Sequence, residues 1–290
     1  MRLFVFGLGY TAMAFIRSGL PWTRVAGTVR DAGKAGRLRE EGIEALALEE
    51  AGDAELAGAI GRADALLVCA PPSEAGDPLL VRFGEAVRRA AGLGWIGYLS
   101  TTGVYGDRDG AWTDETTPAN PQSPASRHRH DAETAWVALG RETGQAVQVF
   151  RLTGIYGPGR NALANLAQGT ARRIVKPGQV FNRIHVDDIA LTLAASLARP
   201  RAGGVYNVTD DEPAPPQDVV TYAAALAGIA PPPEIPFERA HLSPAALAFY
   251  AENKRIANGL IKRELGVELR HPTYREGLDA LYAAGEFQVA

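Results

Sequence analysis

Cysteine is nearly absent from this chain, no apolar run is long, and neither sign of charge dominates; each shortage removes a class of function. A lone thiol, Cys69, cannot close an intramolecular disulfide, and no Cys/His cluster has the spacing of a zinc site. The 30 basic residues are matched by 33 acidic ones over 290 positions, with a pI near 6.0. No global field therefore draws the chain to nucleic acid or to an anionic membrane surface. No stretch approaches the roughly 20 apolar residues of a bilayer-crossing helix. The opening "MRLFVFGLGY" imitates a signal peptide only briefly, since its apolar run breaks at glycine and no small-residue cleavage pattern follows. The expected setting is a reducing cytoplasm. The expected partners are a small-molecule substrate and at most a second copy of the chain, as monomer or homodimer.

What the chain does have is alternation. Short β-branched or apolar runs, at 2–7, 24–30, 42–48, 63–72, 95–103 and 146–154, are separated by Ala/Leu/Arg-rich stretches of helical periodicity. This is the pattern of an α/β protein with a parallel sheet and helices on both faces. The run 204–213 reads as a later return to that sheet. Beyond it, "PPPEIPFE" is a stiff connector, and the remainder reads as helices; "KRIANGLIKRELG" (254–266) has the spacing of an amphipathic packing helix.

The first chemical signal is "VFGLGYTA", a G-x-G-x-x-A between an N-terminal strand and a helix. Gly7 permits the tight turn, Gly9 lets backbone approach a pyrophosphate, and Ala12 lets helix pack close to strand, with Tyr10 and Thr11 opening the helix that faces the phosphates. An acidic residue closing the second strand would accept the adenosine ribose hydroxyls of NAD. That strand ends "GTVRD", with Thr28 and Arg30 where a 2′-phosphate would sit, so NADP is expected over NAD. The alternative is a solvated Arg30 with Asp31 as a late ribose acceptor.

Three further motifs follow in order: "STTGVYGD" (100–107), "RLTGIYGPGR" (151–160) and "RIHVDDIA" (183–190). Together with the glycine-rich turn, they resemble the extended short-chain dehydrogenase/reductases, in particular the NAD-dependent epimerase/dehydratase-like branch. The resemblance covers most of the chain. It implies a Rossmann-type doubly wound parallel sheet over residues 1–160 and 185–210, and a smaller, mostly helical substrate lobe over 161–184 and 211–290. It also places the loop after the fourth strand, beginning at Ala70, beside the cofactor. In such enzymes a Ser or Thr ends the fifth strand, and a Tyr and a Lys four residues later provide acid/base chemistry and hold the nicotinamide ribose. Thr101 matches the hydroxyl. Counting back from Glu133, the position of the family's glutamate, puts Arg129 where the Lys belongs and Ala125 where the Tyr belongs. The dyad is missing.

Positions 125, 129 and 133 still share one helix face. Arg129, within "SRHRH" (126–130), is thus a candidate for ribose hydroxyls or a substrate anion, although a guanidinium does not give up its proton. His128 titrates in the right range. Tyr105 and Tyr156 are candidate substitute proton donors, whereas Arg127 and His130, and in its alternative reading His128, which lies one residue off the Arg129 face, form a solvated helix face. Arg160 either reaches an anion or is exposed, and Cys69 reads as a small buried residue. His185, Asp187 and Asp188 read as a helix cap and loop ties, with no metal site expected. Two functions remain: an NAD(P)-dependent oxidoreductase or epimerase/dehydratase with a relocated proton donor, or a non-catalytic NADP(H) sensor or scaffold.

Overall fold

A computed structural model describes residues 1–287. The apolar runs become strands because each is buried on both faces, and Gly, Asp or Pro interrupts the chain between them. In chain order the first half comprises β1 (Arg2–Phe6), α1 (Tyr10–Ile16), β2 (Arg24–Val29), α2 (Ala32–Glu40), β3 (Glu44–Ala47), α3 (Asp53–Gly61), β4 (Ala65–Val68), α4 (Pro78–Arg89) and β5 (Trp95–Thr101). A one-turn 3₁₀ helix (Thr102–Tyr105) leads to β6 (Trp112–Thr113), α5 (Pro124–Thr143), β7 (Val147–Leu152) and β8 (Gly154–Tyr156). Then come α6 (Ala162–Ala167), β9 (Arg173–Val175), β10 (Arg183–His185), α7 (Val186–Ala198) and β11 (Gly204–Val208). The chain continues with α8 (Pro216–Leu226), β12 (Glu234–Pro236), α9 (Pro244–Tyr250), β13 (Arg255–Ile256), α10 (Gly259–Leu265) and α11 (Tyr274–Ala283).

Seven strands form one sheet in the order β11-β7-β5-β4-β1-β2-β3, every neighbouring pair parallel. Register is set at the centre, where Val5 of β1 opposes Gly27 of β2 on one side and Leu67 of β4 on the other. Side chains of α1, α2, α7 and α10 cover one face around Phe15, Leu38, Leu193 and Ile261. Those of α3, α4 and α5 cover the other around Leu56, Phe83 and Trp136. This is the doubly wound Rossmann-type arrangement read from the alternation.

A separate apolar cluster, built on Tyr156, Leu163, Val219, Tyr274 and Leu278, forms the smaller body from α6, α8 and α11. Its paired strands are short: β8 with β10, and β9 with β12. The stretch 211–290 does not all belong there. Ile261, Leu265 and Val267 are buried in the core under β11 and α7, because the apolar face of α10 has a sheet face to cover and the basic face stays outside. Among the described residues, no helix is long and apolar enough to cross a membrane.

Candidate active site

Strand succession reverses between β1 and β4, and the crevice beyond their C-terminal ends is where doubly wound sheets hold ligands. Gly7 follows β1 directly, with φ +101°, a backbone conformation open to glycine at little cost. A Cβ there would stand 3.2 Å from the Ala70 nitrogen, so the turn lies hard against the end of β4. The Gly7 N–H donates to Thr28 Oγ1 at 3.0 Å, and the Leu8 N–H donates to the Thr28 carbonyl at 2.8 Å. Gly9 opens α1 without a side-chain cap, and among the described residues no acceptor meets the backbone N–H of Tyr10, Thr11 or Ala12. A Cβ on Gly9 would meet nothing nearer than the Gly7 oxygen at 3.9 Å. Open space, free N–H groups and a buried Ala12 that lets α1 sit close to the sheet all fit a pyrophosphate.

The end of β2 departs from expectation. Thr28 is fully buried, and its hydroxyl is the acceptor for the glycine turn. It therefore cannot meet a 2′-phosphate; its work is to hold the turn. Arg30 is exposed and has no side-chain partner among the described residues. The Asp31 carboxylate caps α2, accepting the Lys34 N–H at 2.6 Å. Lys34 was not singled out from the sequence, yet its ammonium reaches back to the Leu8 carbonyl at 2.7 Å and borders the glycine turn. The available signal was its position in the first turn of α2, four residues after Arg30. The Tyr10 hydroxyl donates to the Pro158 carbonyl at 3.0 Å, and burial pushes its phenol up to about 12.

Thr101 ends β5, half-buried, and its Oγ1 accepts the Gly103 N–H at 3.1 Å. The start of α5 lies alongside: a Cβ on Gly103 would be 3.4 Å from Thr101 Oγ1 and 3.8 Å from Ser126 Cβ. Ser123 and Ser126 close a reciprocal cap that fixes this end of the helix. Ala125 is exposed and brings no functional group. Arg129 turns toward the sheet, where Nη1 donates to the Leu99 carbonyl at 2.8 Å and the Tyr98 hydroxyl at 3.2 Å, with a longer approach to the Ala70 carbonyl at 3.5 Å. Its Nε and Nη2 have no partners among the described residues. His128 is half-buried and makes no side-chain hydrogen bond there.

The two phenols fare worse as proton donors. Tyr105 is enclosed, its hydroxyl donating to Asn207 Oδ1 at 2.8 Å and its ring 4.8 Å beneath the Arg151 guanidinium. Tyr156 directs its hydroxyl to the Thr273 carbonyl at 3.4 Å. Burial raises both phenols above their ordinary range, so neither is placed to exchange a proton in the crevice. Glu133 points into the protein, where it accepts three bonds from two nitrogens of Arg151, the shortest of 2.7 Å, and one from Ser100. Burial pushes the Cys69 thiol up to about 12, outweighing the nearby Arg129, which keeps it uncharged. His185 caps α7 by accepting the Asp187 N–H at 3.2 Å. Asp188 accepts the N–H groups of Arg270 and His271 at 2.6 and 3.0 Å. Arg160 is exposed in the loop before α6.

Comparison with known proteins agrees with this geometry. The model of the NAD dependent epimerase/dehydratase family matches residues 81–209. Protein YeeZ of Escherichia coli K12 is 31% identical over 93% of this chain and 96% of its own. The structure of a functionally unknown conserved protein from Silicibacter pomeroyi superposes with a TM-score of 0.88 at 49% identity, covering 98% of both chains. The fold is also that of the dTDP-glucose 4,6-dehydratase DesIV from Streptomyces venezuelae, solved with NAD bound, at TM-score 0.72 and 20% identity over 98% of this chain and 97% of that one. With the glycine turn at the switch point and the three motifs around it, these matches place the chain in the NAD-dependent epimerase/dehydratase family.

Proposed function

We propose that the protein is an NADP(H)-preferring oxidoreductase of this family that works without the usual Tyr/Lys pair. The observation that carries the reading is the turn itself: Gly7 pinned by Thr28, with three unpartnered N–H groups at the start of α1 and open space above Gly9. Gly7, Gly9 and the N–H groups of residues 10–12 would hold the pyrophosphate, and the exposed Arg30, with Lys34 beside the turn, would read a 2′-phosphate. A nicotinamide dinucleotide bound there supplies reversible hydride transfer. Thr101 stands at the end of β5 with a hydroxyl able to donate to a substrate oxygen, since its one hydrogen bond among the described residues uses it as an acceptor. The two unpartnered nitrogens of Arg129 can hold ribose hydroxyls or an anionic substrate group. The proton comes from His128 or from water, because Tyr105 and Tyr156 are committed elsewhere. Positioned acid/base groups contribute roughly two to four powers of ten in rate, so a slow enzyme is expected.

A second reading, a non-catalytic NADP(H) sensor, is favoured by one observation: Ala125 and Arg129 stand where proton transfer would be organised. Titrating the purified protein with NADPH and NADH, followed by nicotinamide fluorescence, and then adding carbonyl compounds and sugar nucleotides to the saturated complex separates the readings. NADPH binding with oxidation by a panel member supports the enzyme. Binding without turnover supports the sensor, and absence of binding refutes both.

A further inference from the structure

The cap at the start of α7 has a neighbour that lies far away in sequence. The loop before α11 brings the His271 ring against that of His185, with centroids 4.0 Å apart and planes tilted by 49°. The Asp187 carboxylate stands 3.7 Å from His185 Nδ1. One donor atom from each of His185, Asp187 and His271 lies within 4.8 Å of the other two. We propose that these three side chains form a binding site for a divalent transition cation of the zinc class, with a remaining coordination position open to the groove between α1 and α7.

Four features support it. Two imidazoles and a carboxylate are the donor set of borderline cations, whereas calcium and magnesium favour oxygen-only sites. The imidazole of His185 is buried against that of His271, which fixes the position of one donor ring. Its ring bonding is also weak, since Nδ1 accepts one 3.2 Å bond and Nε2 is buried with no partner among the described residues. Finally, Asp188 clamps the backbone of Arg270 and His271 from beneath, so the loop that carries the second imidazole is anchored. Metal bonds of about 2.0–2.2 Å put tetrahedral ligands roughly 3.3–3.6 Å apart. The Asp187 side chain, 47% exposed, is free to make the required inward swing. The groove has a volume near 810 Å³ and borders Asp187, Arg270, Gly9 and Lys34, which gives an ion a path from solvent.

The test uses tag-free, chelator-stripped protein titrated with zinc by calorimetry, and with cobalt for its visible absorption. One equivalent should bind and raise the melting temperature. His271→Gln and Asp187→Asn, both at partly exposed positions, should each weaken binding by at least about 100-fold while leaving the metal-free protein folded. His185 is left intact because it caps α7. No saturable binding, binding that neither variant alters, or an effect confined to one of them overturns the three-ligand site. None of these readings depends on whether a dinucleotide binds.

Discussion

Thr28→Val isolates the part of the nucleotide site that sequence reasoning misassigned. Valine keeps the shape of the buried side chain, so no cavity opens, but the Gly7 N–H loses its acceptor at 3.0 Å. A donor left unpaired in the interior costs about 1–3 kcal/mol. The Leu8 N–H keeps the Thr28 carbonyl at 2.8 Å, so the turn loosens without detaching. The expected loss of stability in urea is therefore about 1–3 kcal/mol with an unchanged denaturant slope. Because the proposed site would hold both dinucleotides on the same turn, NADPH and NADH should weaken by the same factor, bounded at roughly tenfold per 1.4 kcal/mol transmitted. Chemical denaturation and parallel fluorescence titrations give both quantities. Stability within about 0.5 kcal/mol of the parent would show that the hydroxyl is not holding the turn. Selective loss of NADPH would show that Thr28 reads the 2′-phosphate after all.

Arg30→Ala should do the converse, weakening NADPH by about tenfold or more, through loss of a charge-assisted contact, with NADH nearly unchanged in the same titration. Thr101→Ala should remove turnover with any substrate the panel identifies and leave dinucleotide affinity intact; unaltered turnover would strip that hydroxyl of its role. Restoring the pair with Ala125→Tyr and Arg129→Lys together should raise turnover by about 10²-fold or more if missing acid/base chemistry limits the rate, as single-turnover kinetics would report. Burial lifts the Asp210 carboxyl to about 8 against the opposing pull of Arg183. The folded chain thus holds a proton that the unfolded chain releases above about pH 4, and this contribution to stability is lost as pH rises toward 8. Asp210→Asn should flatten that slope, so that its stability relative to the parent rises from pH 5 to pH 8; equal slopes in melting experiments across pH 5 to 8 would refute it.

Much of the architecture was legible because its causes are local. A strand of six buried residues such as Val147–Leu152 announces itself by composition, and the glycine turn by a spacing that serves both its own bend and the helix after it. That Arg129 and Glu133 share a face of α5 also followed from periodicity, and both side chains turn toward β5 and β7. Long-range partners were not legible. Tyr105 read as a candidate proton donor, whereas its hydroxyl is held by Asn207, 102 positions later. Thr28 looked like a phosphate contact because alternation along a strand says which residues share a face, not how far the face extends into solvent. His271 gave no signal at all, lying outside every motif, and α10 read as an amphipathic helix without indicating that its apolar side belongs to the sheet.

The sheet order has a consequence for how the chain reaches its native state. β7 is buried along its whole length, with β5 on one side and β11 on the other, yet β11 arrives only after α6, the short strands β8 to β10 and α7 have been made. Until then β7 is a bare parallel edge of Val, Phe and Leu. β11 in turn keeps one face uncovered until α10 docks near the end of the chain. Folding that waits on such distant pairings is slow, and an uncovered apolar edge is a template for other chains. During synthesis, the interval between the emergence of β7 and the docking of α10 is therefore when the nascent protein is most exposed to aggregation and most dependent on chaperones.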